Sequence, residues 1–228
     1  MTQLPLDLPV RVARGREDFY VASSNREAVE WIDRWPSWPF HALSIYGPRA
    51  CGKTHLARVW QTRTGAASIL IEELSRSRLP EGLSAGIVVE HRGLDFDEVA
   101  LLHLYNAVGQ AGGFLLLTSL EPPARWEVSL PDLRSRLRAT TAIGVGLPDD
   151  TLLAVVLTKM FADRQLGVTP DVINFLVARL ERSFEAARRC VARLDKAALA
   201  TGRAITVRLA SAVLNDELGD IGLEEVDR

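Results

Sequence analysis

The sequence predicts an α/β protein with a parallel five-stranded sheet, followed by a small all-helical domain. Short apolar runs alternate with helical patterns through the first two thirds of the chain, which is typical of parallel strands joined by helices. Beyond about residue 147 only helical patterns remain. The predicted organisation is an extended arm (1–17), an α/β domain (18–147), a helical lid (148–219) and an acidic tail (220–228).

The predicted strands are short and apolar. Phe114-Leu115-Leu116-Leu117 shows no alternation, as expected for a central strand that is covered on both faces. The strands are expected at 42–46, 68–71, 86–90, 114–118 and 142–146. Helices are expected at 25–34, from 55, at 97–110, from 149 or 150 to about 165, from 169, at 183–201 and at 207–218.

A glycine-rich loop connects the first strand to the helix that follows it. The segment fits the pattern G-x-x-x-x-G-K-[ST], in which backbone N–H groups and the helix N-terminus bind phosphate. Lys53 is expected to pair with the terminal phosphates and Thr54 to ligate Mg²⁺. The sequence therefore predicts binding of ADP or ATP with Mg²⁺. The loop residues predicted to contact the nucleotide are Gly47, Pro48, Arg49, Ala50, Cys51, Gly52, Lys53, Thr54 and His55.

Composition excludes several classes of function. A net charge of −2 gives no overall attraction to nucleic acid or to an anionic membrane. No apolar run is long enough to span a membrane, and the N-terminus lacks the features of a signal peptide. The two cysteines, Cys51 and Cys190, lack metal-ligand spacing, and a chain of this length needs no disulfide scaffold, so a reducing cytoplasmic location is expected. Cys51 is either a reactive thiol or a small residue tolerated in the loop, and the second interpretation is favoured.

An α/β nucleotide-binding domain followed by a helical lid is the AAA+ architecture, and ordered segments of this chain resemble the DnaA-type initiator branch. The segments are 18–25 (adenine side), 44–56 (Walker A), 117–123 (sensor 1), 133–137 (arginine-finger box) and 182–186 (sensor 2). The resemblance implies that Arg136 acts as an arginine finger in trans. The further nucleotide contacts that it implies are Tyr20, Val21, Asn25, Ser119 and Arg182.

Two features make the chain similar to the Hda/HdaA group, whose members inactivate the initiator. The length leaves no room for the initiator's N-terminal interaction domain and C-terminal DNA-binding domain, and the arm resembles a peptide that binds the replication sliding clamp. The implied partners are the clamp (the polymerase β subunit) and the DnaA initiator, with DNA reached only indirectly and a homodimer possible. The residues of the implied clamp-binding peptide are Gln3, Leu4, Pro5, Leu6, Asp7 and Leu8.

The Walker B position departs from that of an active ATPase. Two acids are typical after such a strand, but Ile87-Val88-Val89 is followed by Glu90 and His91. Glu90 can help to order Mg²⁺, whereas His91 is a poor substitute for the acid that positions water. Leu120 also stands where initiators tend to have an acid. We therefore expect intrinsic ATP hydrolysis to be weak or absent.

These patterns lead to one expected function and leave alternatives open. The expected function is a clamp-tethered regulator that stimulates ATP hydrolysis by DnaA through Arg136 and so prevents re-initiation of replication. Arg134 and Arg138, on either side of Arg136, are interpreted as solvated residues. The main alternative is a self-assembling AAA+ ATPase such as a helicase loader. A DNA-binding adaptor is the least favoured interpretation.

Overall fold

The computed structural model describes residues 20–76 and 79–221. The predicted clamp-binding arm lies outside these residues, as does most of the predicted acidic tail. The chain divides into two compact units, Met1–Gly146 and Leu147–Arg228.

The first unit is built on a parallel sheet, as the sequence predicted. The strands are β1 (Ala42–Tyr46), β2 (Ala67–Leu70), β3 (Ile87–Glu90), β4 (Leu115–Ser119) and β5 (Thr141–Gly144). They form one five-stranded sheet in the order β2-β3-β4-β1-β5, and every neighbouring pair is parallel. Because β4 lies at the centre, all of its residues are buried, and its first three are leucines, as expected for a strand covered on both faces.

Helices cover both faces of the sheet. They are α1 (Arg26–Asp33), α2 (Lys53–Thr64), α3 (Glu98–Gln110) and α4 (Pro131–Ala139). Side chains alternate between the faces, so that Val88 and Leu116 pack with α1 and α2, whereas Val89 and Leu117 pack with α3 and α4. The helix α4 was not predicted as a helix. It begins with Pro131 in its first turn and buries Leu133 and Leu137, one turn apart, in the second cluster.

Over its described residues, the second unit consists of helices joined by loops and contains no strand, as predicted. Its helices are α5 (Asp150–Asp163), α6 (Pro170–Val177), α7 (Phe184–Thr201) and α8 (Val207–Ile221). Asp149 caps α5 by accepting from the Leu152 N–H at 2.8 Å, and Ser183 caps α7 by accepting from Ala186 at 3.1 Å. The helices share one apolar core, which includes Cys190. Among the described residues, no helix is both long enough and apolar enough to cross a membrane.

Candidate nucleotide-binding site

The glycine-rich loop joins β1 to α2 and has the backbone that phosphate binding requires. A Cβ atom added to Gly47 would lie 2.2 Å from the Val145 carbonyl oxygen, so no side chain fits there. Gly52, at the N-cap of α2, has φ 106°, a conformation that favours glycine. Ala50 also has a positive φ (57°), and such strain is concentrated in functional loops.

Lys53 lies across this loop. Its ammonium group donates hydrogen bonds to the carbonyl oxygens of Gly47 at 2.8 Å and Pro48 at 2.6 Å. Thr54 and His55 follow in the first turn of α2, and the Thr54 side chain is exposed. The sequence therefore places a cation and a hydroxyl at the N-terminus of a helix, which is a suitable arrangement for an anion.

Cys51 is a packing residue in this structure. It is 2% exposed and belongs to the apolar cluster between the sheet, α1 and α2. Its Sγ atom is 3.7 Å from the Lys53 ammonium nitrogen. This placement agrees with the interpretation of Cys51 as a small residue within the loop.

Asn25 organises the segment that the resemblance assigned to the adenine side. Its side-chain oxygen accepts from the Ala22 N–H at 2.8 Å, and its side-chain nitrogen donates to the Tyr20 carbonyl at 2.9 Å. The Gly146 N–H donates to the Ser24 carbonyl at 2.9 Å, which ties the segment to the residues after β5. Tyr20, Val21 and Asn25 are thus brought to the carboxyl edge of the sheet, where the phosphate loop begins.

Glu90 lies on the phosphate-loop side of the sheet. It is in phase with Val88, whose side chain packs with α1 and α2, and it is paired in register with Thr118 of β4. Its carboxylate lies 3.5 Å from the Arg92 guanidinium. Hydroxyl and carboxylate oxygens, such as those of Thr54 and Glu90, are ligands that Mg²⁺ prefers. Among the described residues, no cluster of three or more His, Cys, Asp or Glu could hold a metal ion.

His91 lies on the opposite face of the sheet. Its ring packs edge-on against Trp126 (centroids 4.5 Å apart) and Phe96 (5.4 Å). Burial lowers the pKa of His91, and the nearby Glu72 carboxylate opposes this shift. Its Nδ1 atom is buried without a hydrogen-bond partner in the described part of the chain. A neutral ring on this face does not replace the missing acid of the Walker B pair.

Ser119, the predicted sensor 1 residue, also lies on the face opposite Glu90. Its hydroxyl donates to the Glu121 carbonyl at 2.6 Å. Thr118 lies on the Glu90 face instead and is 4% exposed. The structure therefore brings Thr118 beside Glu90, a residue that the sequence reasoning missed. Side chains alternate along a strand, so Thr118 lies on the same face as the buried Leu116, and this alternation could have identified it from the sequence.

The arginines of α4 differ in their contacts. The Arg136 Nε atom donates to the Asn106 side-chain oxygen at 2.9 Å. Arg134 is exposed, as expected of a solvated residue, and its guanidinium also donates to the Val128 carbonyl through both Nε and Nη2. Arg138 is exposed, as expected. Because α4 packs on the face opposite α2, the structure does not bring Arg136 together with the phosphate loop of its own chain.

Arg182 lies in the lid immediately before the cap of α7. Its guanidinium donates two hydrogen bonds to the Asp150 carboxylate, at 3.0 and 3.3 Å. Both side chains are more than half exposed, so the ion pair contributes little to stability. The sensor 2 candidate thus has a carboxylate partner within its own unit.

A cavity of about 450 Å³ lies beside the N-terminus of α3, on the α3 and α4 side of the sheet. Arg76 and Asp97 line it and form a 2.7 Å ion pair. Hydrogen bonding to Arg76 lowers the pKa of Asp97, and the same bond raises the pKa of Arg76. The cavity lies on the face opposite the glycine-rich loop, so it is not part of the phosphate site.

The fold and the site together define an AAA+ protein: a phosphate loop between β1 and α2, a parallel sheet and a separate helical unit. Residues 149–214 match the family model described as the Hda lid domain. The chain is 24% identical over 229 residues to the chromosomal replication initiator protein DnaA of Cutibacterium acnes, covering 88% of this chain and 45% of that protein. Across the DnaA relatives, it spans between 39% and 53% of their length.

Solved structures agree with this assignment of the fold. Domain III of DnaA from Thermotoga maritima superposes with a TM-score of 0.72 and 17% identity, covering 91% of this chain and 98% of that one. AMPPCP-bound DnaA from Aquifex aeolicus superposes with a TM-score of 0.60 and 17% identity, covering 80% of this chain and 65% of that one. The matched lid, the DnaA relatives and the domain III fold together support a DnaA/Hda-type AAA+ protein.

Proposed function

We propose that this protein is a nucleotide-binding regulator of a DnaA-type initiator, which it stimulates to hydrolyse ATP through Arg136. One observation carries the proposal: α4, which bears Arg136, and α2, which begins at the phosphate loop, pack on opposite faces of the sheet. An arginine placed in this way is suited to a phosphate bound by another chain. A guanidinium supplied in trans stabilises transition-state charge and accelerates hydrolysis by about 10³–10⁵.

Nucleotide binding is supported by the loop and by the Asn25 segment. The loop supplies helix N-terminal N–H groups, the Lys53 ammonium and the Thr54 hydroxyl, which suit the phosphates of ADP or ATP. A related solved structure is DnaA with bound AMPPCP. Mg²⁺, when bound, would neutralise phosphate charge, with Thr54 and Glu90 as its protein ligands.

Weak intrinsic hydrolysis is part of the same proposal. Glu90 is the acid at the end of β3 on the phosphate side, and its carboxylate already pairs with Arg92. The next residue, His91, turns to the other face and packs against Trp126. The chain therefore retains groups that bind a nucleotide and Mg²⁺ but lacks the second acid that orients water. ADP is the nucleotide that this arrangement would retain.

The remaining elements connect the regulator to replication. The arm residues Gln3–Leu8 are proposed to bind the sliding clamp, which raises the local concentration of the regulator near the initiator. Arg182 is proposed as a phosphate ligand that exchanges its Asp150 partner for the nucleotide. DNA is contacted only through the clamp, and the protein acts in the cytoplasm at the replisome.

The decisive experiment measures ATP hydrolysis by a purified DnaA-type initiator with this protein, in the presence or absence of DNA-loaded clamp. Clamp-dependent stimulation is expected, and it should be lost in Arg136→Ala and in a triple alanine variant of Gln3, Leu6 and Leu8. Arg138→Ala is the matched control because it removes an exposed arginine from the same helix. Stimulation that survives Arg136→Ala would refute the proposal. Nucleotide-dependent oligomers with intrinsic hydrolysis would support the self-assembling ATPase instead.

A further inference from the structure

Arg136 is held by two neighbouring residues of α3. Its Nε atom donates to the Asn106 side-chain oxygen at 2.9 Å, and its guanidinium carbon lies 5.9 Å from the centre of the Tyr105 ring. A guanidinium carries five N–H donors, and the bond to Asn106 uses the one on Nε. The bond to Asn106 does not use the donors on the two Nη atoms, which can form a bidentate pair with a phosphate.

Tyr105 and the helix that carries it are anchored by further contacts. Tyr105 is buried, and its ring packs against His41, whose Nε2 atom is 3.1 Å from the Tyr105 carbonyl oxygen. The Glu98 carboxylate at the start of α3 accepts from the Ser129 N–H at 2.8 Å and the Leu130 N–H at 2.6 Å, just before α4 begins. The two helices are therefore fixed to each other at the N-terminus of α4 as well as at Arg136.

We infer that Asn106 and Tyr105 are positioning residues that aim the Arg136 guanidinium at the phosphate of a partner-bound nucleotide. The inference rests on the proposed function, because it assumes that Arg136 acts in trans. A free arginine samples many rotamers, and misplacement of a catalytic group by about 1 Å can cost about 100-fold in rate. Fixing Nε leaves fewer conformations to be lost when the phosphate is bound.

Asn106 is uncharged, and this suits its role in positioning Arg136. An aspartate at this position would accept the same hydrogen bond but would neutralise the guanidinium and compete with the phosphate for it. An amide oxygen orients the group while leaving its full positive charge for the transition state. The structure thus explains why an amide suits this position on α3.

The test compares variants in the clamp-dependent stimulation of initiator ATP hydrolysis, recording both the maximal rate and the concentration that gives half of it. Asn106→Leu removes the acceptor at nearly constant size, and Asn106→Asp keeps the acceptor but adds charge. Gln110→Leu removes an exposed amide from the end of the same helix and is the matched control. Asn106→Ala is a second variant if the leucine side chain does not fit, and thermal melting establishes that each variant is folded.

The expected result is a loss of at least 10-fold in maximal rate for Asn106→Leu and for Asn106→Asp, with the half-saturating concentration changed less than twofold. In an Arg136→Ala background, Asn106→Leu should cause no additional loss. A normal maximal rate in Asn106→Leu, when Arg136→Ala alone abolishes stimulation, would overturn the positioning role and leave the proposed function intact. Full stimulation by Arg136→Ala would overturn both.

Discussion

The contacts of Asn25 lead to a specific prediction about recognition of the adenosine part of the nucleotide. The substitution Asn25→Ala removes the two side-chain hydrogen bonds that Asn25 makes to the segment from Tyr20 to Ala22, and leaves the backbone bonds to the Ala22 carbonyl. Asn25 and Ala22 are each 5% exposed, so water cannot readily replace the bond to the Ala22 N–H. An unsatisfied buried donor costs about 1–3 kcal/mol, whereas the partly exposed Tyr20 carbonyl loses less.

When ordering this segment becomes less favourable by about 2 kcal/mol, the affinity for ADP decreases by roughly 30-fold. The phosphate loop is not touched by the substitution, so affinity for inorganic pyrophosphate should change less than about twofold. The assay is equilibrium titration with a fluorescent ADP analogue, followed by competition with unlabelled ADP and with pyrophosphate. Asn25→Asp keeps the acceptor for Ala22 and should lose less affinity than Asn25→Ala.

Two results would contradict this reasoning. Unchanged ADP affinity in Asn25→Ala would show that the segment does not contact the nucleotide. An equal loss for ADP and pyrophosphate would show that the substitution disturbs the whole site rather than the adenosine side.

Three other predictions follow from the site. Gly47→Ala should weaken nucleotide binding at least about 10-fold, because its Cβ would overlap the carbonyl oxygen at the end of β5. In the control variant Gly167→Ala the new Cβ meets nothing within 4 Å, so stability should change by less than about 1 kcal/mol. Arg92→Gln should increase the ratio of nucleotide affinity with Mg²⁺ to that without it by roughly 5-fold, or about 1 kcal/mol, because it removes a cation beside Glu90. His91→Phe should raise the free energy of unfolding by about 1 kcal/mol at neutral pH, because it removes a buried Nδ1 without a partner.

The pH dependence provides a further check on His91. Its pKa is lowered in the folded protein, so below about pH 6.5 the unfolded chain binds more protons. The stability of the unchanged protein should therefore fall as the pH decreases from about 6.5 towards the folded-state pKa. Chemical denaturation should show the advantage of His91→Phe widening over that range, and a constant difference would argue against a buried neutral ring. For Gly47→Ala, a nucleotide affinity equal to that of the unchanged protein would contradict the prediction. For Arg92→Gln, an unchanged dependence of nucleotide affinity on Mg²⁺ would do so.

Local patterns were sufficient for much of the fold. The apolar run Phe114-Leu115-Leu116-Leu117, most of which lies in β4, predicted a central strand because a strand covered on both faces has apolar residues at consecutive positions. The start of α5 was predicted at Asp149 or Asp150, and that of α7 at Ser183. Asp149 and Ser183 are the caps, and a cap is readable from sequence because it is formed by side-chain and backbone groups within three residues. The phosphate loop was predicted for the same reason, because its glycines and Lys53 act within eight consecutive residues.

Tertiary structure decided which neighbouring side chains share a site. Alternation along each strand separates Thr118 from Ser119 and Glu90 from His91, but only the pairing of β3 with β4 places Thr118 beside Glu90. The contact between Arg136 and Asn106 joins residues 30 positions apart and exists only because α3 and α4 pack together. The sequence by itself determined most of the elements, with α4 as the exception, and the phosphate-loop pattern. The pairing register and helix packing determined which residues meet, because those contacts depend on groups distant along the chain.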